Sequence, residues 1–208
     1  MTIRLAVLLS GTGRTLQNFL DLIALGDLEA SVEVVVASNN TAGGLQRARD
    51  AGIDTHIVRR RDLETNEAFS EAITKVLDNY EIDLVLGAGF TQLYKYPPRF
   101  DGRMLNVHPA LLPQYGGQGM YGHHVHEAVI AAGETESGCT VHLTTHEYDK
   151  GPIVVQKRVP VLPDDTPETL AARVFEAECE AYPEAIRIMA KRLAGQDHIG
   201  HVDTADKT

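Results

Sequence analysis

The sequence predicts an α/β domain: a mostly parallel sheet with helices on both faces and an antiparallel C-terminal hairpin. Three observations lead to this prediction. Short runs of leucine and β-branched residues alternate with helical stretches through the first half of the chain, which is typical of parallel strands buried on both faces. The first of these runs ends in a glycine-rich loop. Later, two partly alternating segments are joined by a turn. The predicted layout is therefore Rossmann-like in its first half.

The first half of the chain alternates strand and helix. Ile3–Leu9 reads as a buried strand, and the helix Thr15–Leu25 places Leu16, Phe19 and Ile23 on one face together with Leu20. The other strands of this half are predicted at Val32–Ala37, Thr55–Val58, Asp83–Gly87 and Met104–Val107, and its other helices at Gly44–Ala51 and Glu67–Asn79.

The later part of the chain changes character. Gly138–Thr145 and Ile153–Val159 flank the turn EYDKGP and predict an antiparallel hairpin at the sheet edge. A long helix, Pro167–Leu193, follows, and Pro183 is expected to kink or break it. We expect one domain over residues 1–194 and a polar, disordered tail over residues 195–208.

Composition limits the possible partners. A net charge of -10 disfavours non-specific binding to nucleic acid or to an anionic membrane, so we expect small-molecule substrates. Cys139 and Cys179 lie in apolar patterns and imply no disulfide framework, which fits a reducing compartment. The apolar run Leu5–Leu9 is too short for a signal peptide or a membrane span, so the expected location is cytoplasmic. Monomer and homodimer both stay open.

The glycine loop after the first strand predicts an anion site. Gly11, Thr12 and Gly13 precede a helix N-terminus, where backbone N–H groups and the helix dipole favour a negative group, and Arg14 adds charge. A dinucleotide is disfavoured because the third glycine of G-x-G-x-x-G is missing and no acidic residue follows the second strand. The loop therefore predicts a monophosphate site, with a ligand-free tight turn as the alternative.

An amide, an imidazole and a carboxylate form the candidate catalytic group. Asn106 and His108 are two apart at a strand end, so both side chains project from one face, and Asp149 lies in the hairpin turn. Asn106 can donate to a developing oxyanion and His108 can move a proton, as acyl transfer requires. We expect Asp149 to raise the pKa of His108 and to keep the imidazole protonated. Each residue alone is more often structural, and His142 reads as a strand-face residue.

Four segments occur together in a recognisable order. They are SGTGRTLQ, GAGF, NVHPALLP and GCTVH…DKGPIVVQ. Over Ile3–Met189 the chain resembles the folate-dependent formyltransferases, most closely those that act on glycinamide ribonucleotide. The resemblance implies transfer of the formyl group of 10-formyltetrahydrofolate, as co-substrate, to the amine of that ribonucleotide in purine biosynthesis. It also gives Asn106, His108 and Asp149 the family's catalytic positions.

The resemblance implies two sets of binding residues as well. The acceptor substrate would lie on Gly11, Thr12, Gly13 and Arg14 and on Phe175, Glu176, Ala177 and Glu178, with Glu178 holding ribose hydroxyls. The folate would lie on Phe90, Thr91, Gln92, Leu93, Tyr94, Asn106, Thr145, His146, Glu147, Tyr148 and Asp149.

The chain also departs from the family pattern. Arg14 and Thr15 replace a usual Ser–Asn pair, and Thr91–Tyr94 replaces Met-Arg-Ile-Leu. A family arginine near the start of the third helix is replaced around Asn66. Both missing arginines bear on the folate side, and the adjacent Arg59–Arg61 either compensate for them or form a solvated basic stretch. The insert GGQGMYGHHVHEAVI is longer than the common form.

Other readings stay open. His123 and His126 share a helix face near His124, but no third ligand joins them in sequence, so we expect no metal. An N-formyltransferase acting on an amino sugar nucleotide fits the altered phosphate loop. A phosphate- or folate-binding module without turnover is the non-enzymatic alternative, and it is disfavoured by the presence of all three candidate catalytic groups.

Overall fold

The computed structural model describes residues 2–197, which form a seven-stranded sheet and five α-helices. The strands are β1 Ile3–Leu9, β2 Ala30–Ala37, β3 Asp54–Ile57, β4 Leu84–Gly87, β5 Met104–His108, β6 Glu136–Leu143 and β7 Ile153–Pro160. The helices are α1 Arg14–Leu25, α2 Gly44–Asp50, α3 Asn66–Leu77, α4 His123–Ala131 and α5 Pro167–Asp197. Every strand and helix predicted above is present, with ends displaced by a few residues.

The sheet has the order β3-β2-β1-β4-β5-β6-β7. Strands β1 to β5 run parallel to one another, whereas β6 runs antiparallel to both β5 and β7. The predicted fold class, including the added hairpin, is therefore confirmed. Because β1 to β5 all end at one edge, the loops that follow them meet there, which is where open α/β sheets bind ligands.

Alternating residues of the buried strands fill two cores. Leu5, Val7 and Leu9 of β1 belong to the core beneath α1 and α5, where Phe19 is fully buried. Ala6 and Leu8, together with Val34, Val36, Val85 and Met104, form the opposite core with Phe69, Ile73 and Leu77 of α3. A strand covered on both faces must be apolar at every position, which explains the unbroken leucine and valine runs.

Helix α5 passes through Pro183 without a break, so of the expected kink or break the break is wrong. A proline lacks the N–H that would bond the carbonyl four residues earlier, here Cys179. The side-chain amide of Asn18, on α1, donates to that carbonyl oxygen at 2.9 Å. The next residue back, Tyr182, is fully buried and places its hydroxyl 3.1 Å from the carbonyl oxygens of Gly87 and Leu105. Packing against α1 and the sheet thus holds the helix in place.

Helix α5 continues to Asp197, three residues past the predicted domain boundary. The rest of the predicted tail, residues 198–208 with His198 and His201, lies outside the described residues. Over the described part of the chain, no helix combines the length and apolar character needed to span a bilayer.

Candidate active site

Strand β5 carries Asn106 and His108 on the same face as Met104, but beyond the part of that face that α3 covers. Asn106 lies between Gly87 of β4 and His142 of β6 in the sheet register. A Cβ atom at Gly87 would stand 2.6 Å from Oδ1 of Asn106, so any larger residue there would displace the amide from this position. Among residues 2–197 no group hydrogen-bonds the Asn106 side chain, which leaves its N–H groups free to donate.

Asp149 lies in the loop that joins β6 to β7 and faces both imidazoles of the site. Its Oδ2 atom is 3.5 Å from Nδ1 of His108, and its Oδ1 atom is 3.5 Å from Nε2 of His142. The backbone N–H of Gly117 donates to Oδ2 at 2.9 Å. Asp149 has φ 56°, a left-handed conformation that is uncommon outside glycine and is found at functional turns. The hairpin therefore brings the carboxylate to the end of β5, as predicted.

The expected rise in the pKa of His108 is wrong. Burial lowers the pKa of this imidazole below its ordinary value, and the nearby charge of Asp149 only partly offsets that effect. The side chain of His108 is 4% exposed. Its Nε2 atom lies 2.7 Å from the carbonyl oxygen of Tyr115, which can only accept, so Nε2 carries the proton. The lowered pKa favours the neutral imidazole, and in that form Nδ1, on the side of Asp149, is the unprotonated nitrogen.

Asp149 itself stays ionised. Burial raises its pKa, but His142, His108 and the Gly117 N–H together outweigh burial and lower it below the ordinary value. A carboxylate with a depressed pKa next to a neutral imidazole can stabilise an imidazolium once a proton is taken up.

His142 belongs to the site, although the sequence indicated only a strand-face residue. It is buried, its Nδ1 atom is 2.9 Å from the carbonyl oxygen of Leu143, and its Nε2 atom has no hydrogen-bond partner among the described residues. The β5–β6 register places it directly opposite Asn106. The predicted hairpin implied such a pairing, but the register could not be read from the alternation alone.

The predicted folate residues gather around one cavity beside Asn106. Its walls include Met104, His142 and Thr144, which the sequence did not assign to the folate. They also include nine of the predicted residues: Phe90, Gln92, Leu93, Tyr94, Asn106, Thr145, Glu147, Tyr148 and Asp149. His146 instead contacts the ring of Tyr96, with centroids 4.9 Å apart. Thr91 lines the neighbouring cavity described next.

A second cavity, of about 320 Å³, contains Asn106, His108 and Asp149 together. The loop Gly117–Tyr121 and residues Gly89–Thr91 also line it. The sequence marked this loop only as an insert. Gly117 and Gly119 have φ 103° and 89°, so the loop takes backbone conformations that glycine permits at little cost. This cavity has room for a small reacting group next to Asn106, His108 and Asp149.

The glycine loop and helix α5 come together as the resemblance implied. Gly13 caps α1 with φ 73°, and a Cβ there would stand 2.4 Å from the Cα atom of Gly44. The guanidinium of Arg14 lies 3.7 Å from the ring centroid of Phe175. No carboxylate in residues 2–197 lies within ion-pair distance of Arg14, so its charge is available to a ligand. Arg47 is held by the carbonyl oxygen of Thr12.

The four predicted α5 residues have different surroundings. Phe175 and Glu178 lie one turn apart on the side that faces Arg14. Burial raises the pKa of Glu178 to about 7, and the charge of Arg14 partly opposes this. Ala177 is buried in the core and Glu176 is exposed.

The histidines near α4 do not form a cluster with metal-binding geometry. His126 is buried and His123 and His124 are exposed. Burial, with smaller effects from His123 and His108, lowers the pKa of His126 to about 4. Within residues 2–197 no three His, Cys, Asp or Glu side chains are placed to hold a metal ion.

A parallel sheet with an anion loop after β1 and an Asn–His–Asp group at the end of β5 has the parts needed for acyl transfer to an amine. Residues 3–186 match the family profile described as formyl transferase, and the chain belongs to that family.

Its relatives include enzymes of purine synthesis. The chain is 36% identical over 203 residues to phosphoribosylglycinamide formyltransferase of Haemophilus influenzae, covering 96% of this chain and 93% of that protein. It is 38% identical to the trifunctional purine biosynthetic protein adenosine-3 of Bos taurus over 90% of its own length, but spans only 18% of that protein. The crystal structure of glycinamide ribonucleotide transformylase 1 from Symbiobacterium toebii superimposes with a TM-score of 0.84 at 38% identity, covering 91% of this chain and 88% of that chain.

Proposed function

We propose that this chain transfers the formyl group of 10-formyltetrahydrofolate to the primary amine of glycinamide ribonucleotide, in purine biosynthesis. The main support is that Asn106, His108 and Asp149 line one cavity in a member of the formyl transferase family. The Haemophilus relative that matches nearly end to end carries this activity in its name.

The proposed roles follow from the geometry. The amine attacks the formyl carbon, and the free amide of Asn106 donates to the oxyanion that develops on the formyl oxygen. Nδ1 of neutral His108 takes the proton from the attacking nitrogen, and Asp149 stabilises the imidazolium that results. As the bond from carbon to N10 of the folate breaks, the same proton passes to N10. His108 returns to its neutral form, so proton and charge balance over one turnover.

The two substrates are proposed to bind to separate sets of residues. The phosphate of the acceptor would lie at the N-terminus of α1, on Gly11–Gly13 and the unpaired guanidinium of Arg14. Glu178 would accept hydrogen bonds from ribose hydroxyls. The pterin would lie in the cavity bounded by Phe90, Tyr94 and the β6–β7 loop. Because both cysteines are free thiols, we place this activity in a reducing compartment, the cytoplasm.

The decisive experiment compares acceptors. The purified chain is given 10-formyltetrahydrofolate with either glycinamide ribonucleotide or an amino sugar nucleotide, and folate release is followed over time. We expect turnover with the ribonucleotide and a kcat/KM at least about a hundredfold lower with the amino sugar nucleotide, because the phosphates and the pentose of the latter lie at a different distance from the reacting amine. Turnover with the amino sugar nucleotide and none with the ribonucleotide would show that the chain is an amino sugar N-formyltransferase. Binding of both ligands without turnover would make it a binding module.

A further inference from the structure

A short turn, Tyr115–Gly117, contacts both His108 and Asp149. The carbonyl oxygen of Tyr115 lies 2.7 Å from Nε2 of His108, and the backbone N–H of Gly117 donates to Oδ2 of Asp149 at 2.9 Å. Between these two residues, a Cβ atom at Gly116 would stand 3.3 Å from Cβ of Asp149. A shift of this turn would therefore change the surroundings of the imidazole and of the carboxylate together.

The backbone of the turn is strained at Tyr115, where φ is 55°. This left-handed conformation is unfavourable for a residue with a bulky side chain, and it persists only where the surrounding structure holds it. The ring of Tyr115 is only partly buried where it packs against the core beneath α1 and α5. The contact made by the tyrosine hydroxyl therefore bears on whether the turn keeps its shape.

Glu134, in the loop between α4 and β6, binds that hydroxyl. The hydroxyl of Tyr115 donates to Oε1 of Glu134 at 2.8 Å. In the part of the chain that the structure describes, Glu134 forms no ion pair, so its carboxylate is available to the tyrosine. Neither residue lines the two cavities that contain Asn106. The pair can thus act on those cavities only through the turn.

The carbonyl oxygen of Tyr115 determines which nitrogen of His108 carries the proton in the neutral ring. A carbonyl oxygen can only accept, so its distance of 2.7 Å requires the proton on Nε2. If the carbonyl turned away, the proton would be free to lie on Nδ1 and to be donated to Asp149, whose Oδ2 atom is 3.5 Å away. In that tautomer Nδ1 has no lone pair with which to accept a proton from the attacking amine.

We infer that Glu134 is a positioning residue which, through Tyr115, holds His108 in the tautomer that leaves Nδ1 free to act as the base. The inference rests on the proposed function, because that function assigns the proton transfer to Nδ1. Tyr115→Phe keeps the ring and removes the hydroxyl, and Glu134→Ala removes the acceptor. In Glu134→Gln the amide oxygen still accepts the bond, so this variant should behave like wild type.

The first measurement determines the tautomer of His108 without substrates. Nitrogen NMR of the full chain with isotopically labelled histidine distinguishes a protonated ring nitrogen from an unprotonated one. In wild type and in Glu134→Gln we expect His108 to carry its proton on Nε2. In Tyr115→Phe and in Glu134→Ala the form with the proton on Nδ1 should appear, because Asp149 then offers the better acceptor.

The second measurement is the kinetics of formyl transfer. In Tyr115→Phe and in Glu134→Ala we expect kcat to fall about tenfold, the factor by which one hydrogen bond to a charged group shifts an equilibrium. KM for both substrates should stay unchanged, since neither residue touches them. The double variant Tyr115→Phe/Glu134→Ala should lose no more than either single variant, because both substitutions remove the same bond.

Tyr80→Phe is the matched control. It removes another hydrogen bond from a tyrosine hydroxyl to a carboxylate, the 3.1 Å contact with Asp54 on β3, at the opposite edge of the sheet from β7. This variant should leave both kcat and the tautomer of His108 unchanged. Equal losses of kcat in Tyr80→Phe and Tyr115→Phe would show a general effect of stability and would overturn the inference.

The remaining outcomes separate the inference from the proposed function. An unchanged His108 tautomer in both Tyr115→Phe and Glu134→Ala would overturn the inference even if kcat fell, and so would a wild-type ring with its proton on Nδ1. If formyl transfer is present and the tautomer does not shift, only the inference is lost. If the tautomer shifts as expected but wild-type protein transfers no formyl group, Glu134 still orients His108 and the proposed function fails.

Discussion

Nδ1 of His108 lies 3.5 Å from Oδ2 of Asp149, beyond normal hydrogen-bond length, while Nε2 of the same ring donates to a backbone carbonyl. At this spacing the carboxylate does not offset burial, and the pKa of His108 stays below its ordinary value. A lowered pKa favours a neutral imidazole at neutral pH, which can act as a base and become a cation when it takes up a proton.

This assignment predicts where His108 titrates. NMR of the ring should give a pKa below about 6.5, and Asp149→Asn should lower it further, because the carboxylate is what opposes burial. On the acid side, kcat/KM should fall only as the pH drops through that lowered value. A His108 pKa above the ordinary value, or one that rises in Asp149→Asn, would restore the protonated resting state that the sequence had led us to expect.

Removal of the unpaired amide should slow catalysis without unfolding the protein. In Asn106→Ala we expect kcat to fall by about 10²–10³, the cost of a lost oxyanion donor. Circular dichroism and the melting temperature should stay close to wild type, since no described residue bonds this side chain. Asn79→Ala, in the turn after α3, serves as the control for kcat alone, because Asn79 donates to the carbonyl oxygens of Lys75 and Val76 and its loss affects stability. Wild-type kcat in Asn106→Ala would remove the amide from the mechanism.

Gly87 allows a second test of the same amide that leaves Asn106 in the sequence. The Cβ of Gly87→Ala would meet Oδ1 of Asn106 at 2.6 Å, and the flexible side chain would move away at small cost. We expect kcat to fall by roughly 10² or more, with little change in stability. In the double variant Gly87→Ala/Asn106→Ala the loss should match that of Asn106→Ala alone. Additive losses would show that Gly87 acts through something other than Asn106.

The sequence predicted the strands, the hairpin and the positions of Asn106, His108 and Asp149 well, because their local patterns are strong. Burial of strands on both faces leaves an unbroken apolar run, and a polar pair at the end of such a run stands out. The sequence did not predict the role of His142, which depends on the β5–β6 register. Nor did it predict the pKa of His108, because burial of a strand-end residue depends on loops such as Tyr115–Gly117 that fold over it.

The structure around Pro183 is a second feature that the sequence alone did not predict. Its helix-breaking tendency is local, whereas the compensating amide of Asn18 comes from α1, 161 residues away from Cys179. Local propensity is overridden here by tertiary contact.

His126 predicts a pH-dependent loss of stability. Its folded-state pKa is about 4, below the ordinary 6.5, so the unfolded state binds more protons between these values. The contribution of neutral His126 to the free energy of unfolding is fully present above about pH 6.5. It is lost as the pH falls, and the loss is about 2 kcal/mol near pH 5. Urea unfolding of wild type and of His126→Gln at pH 7 and pH 5 measures the difference. The decrease in the free energy of unfolding from pH 7 to pH 5 should be about 2 kcal/mol smaller in His126→Gln than in wild type. Equal decreases in the two proteins would contradict the assignment.

The contact between Asn18 and the Cys179 carbonyl oxygen predicts a coupling across two helices. Asn18→Ala should lower the free energy of unfolding by about 1–3 kcal/mol, because it leaves a carbonyl oxygen without a partner. In a Pro183→Ala background the new N–H can bond the Cys179 carbonyl directly, so the same Asn18→Ala substitution should cost less. Urea unfolding of the four proteins gives a coupling energy of about 1 kcal/mol if the amide replaces the missing helical bond. Equal costs in both backgrounds would mean that Asn18 stabilises the α1–α5 interface by packing alone.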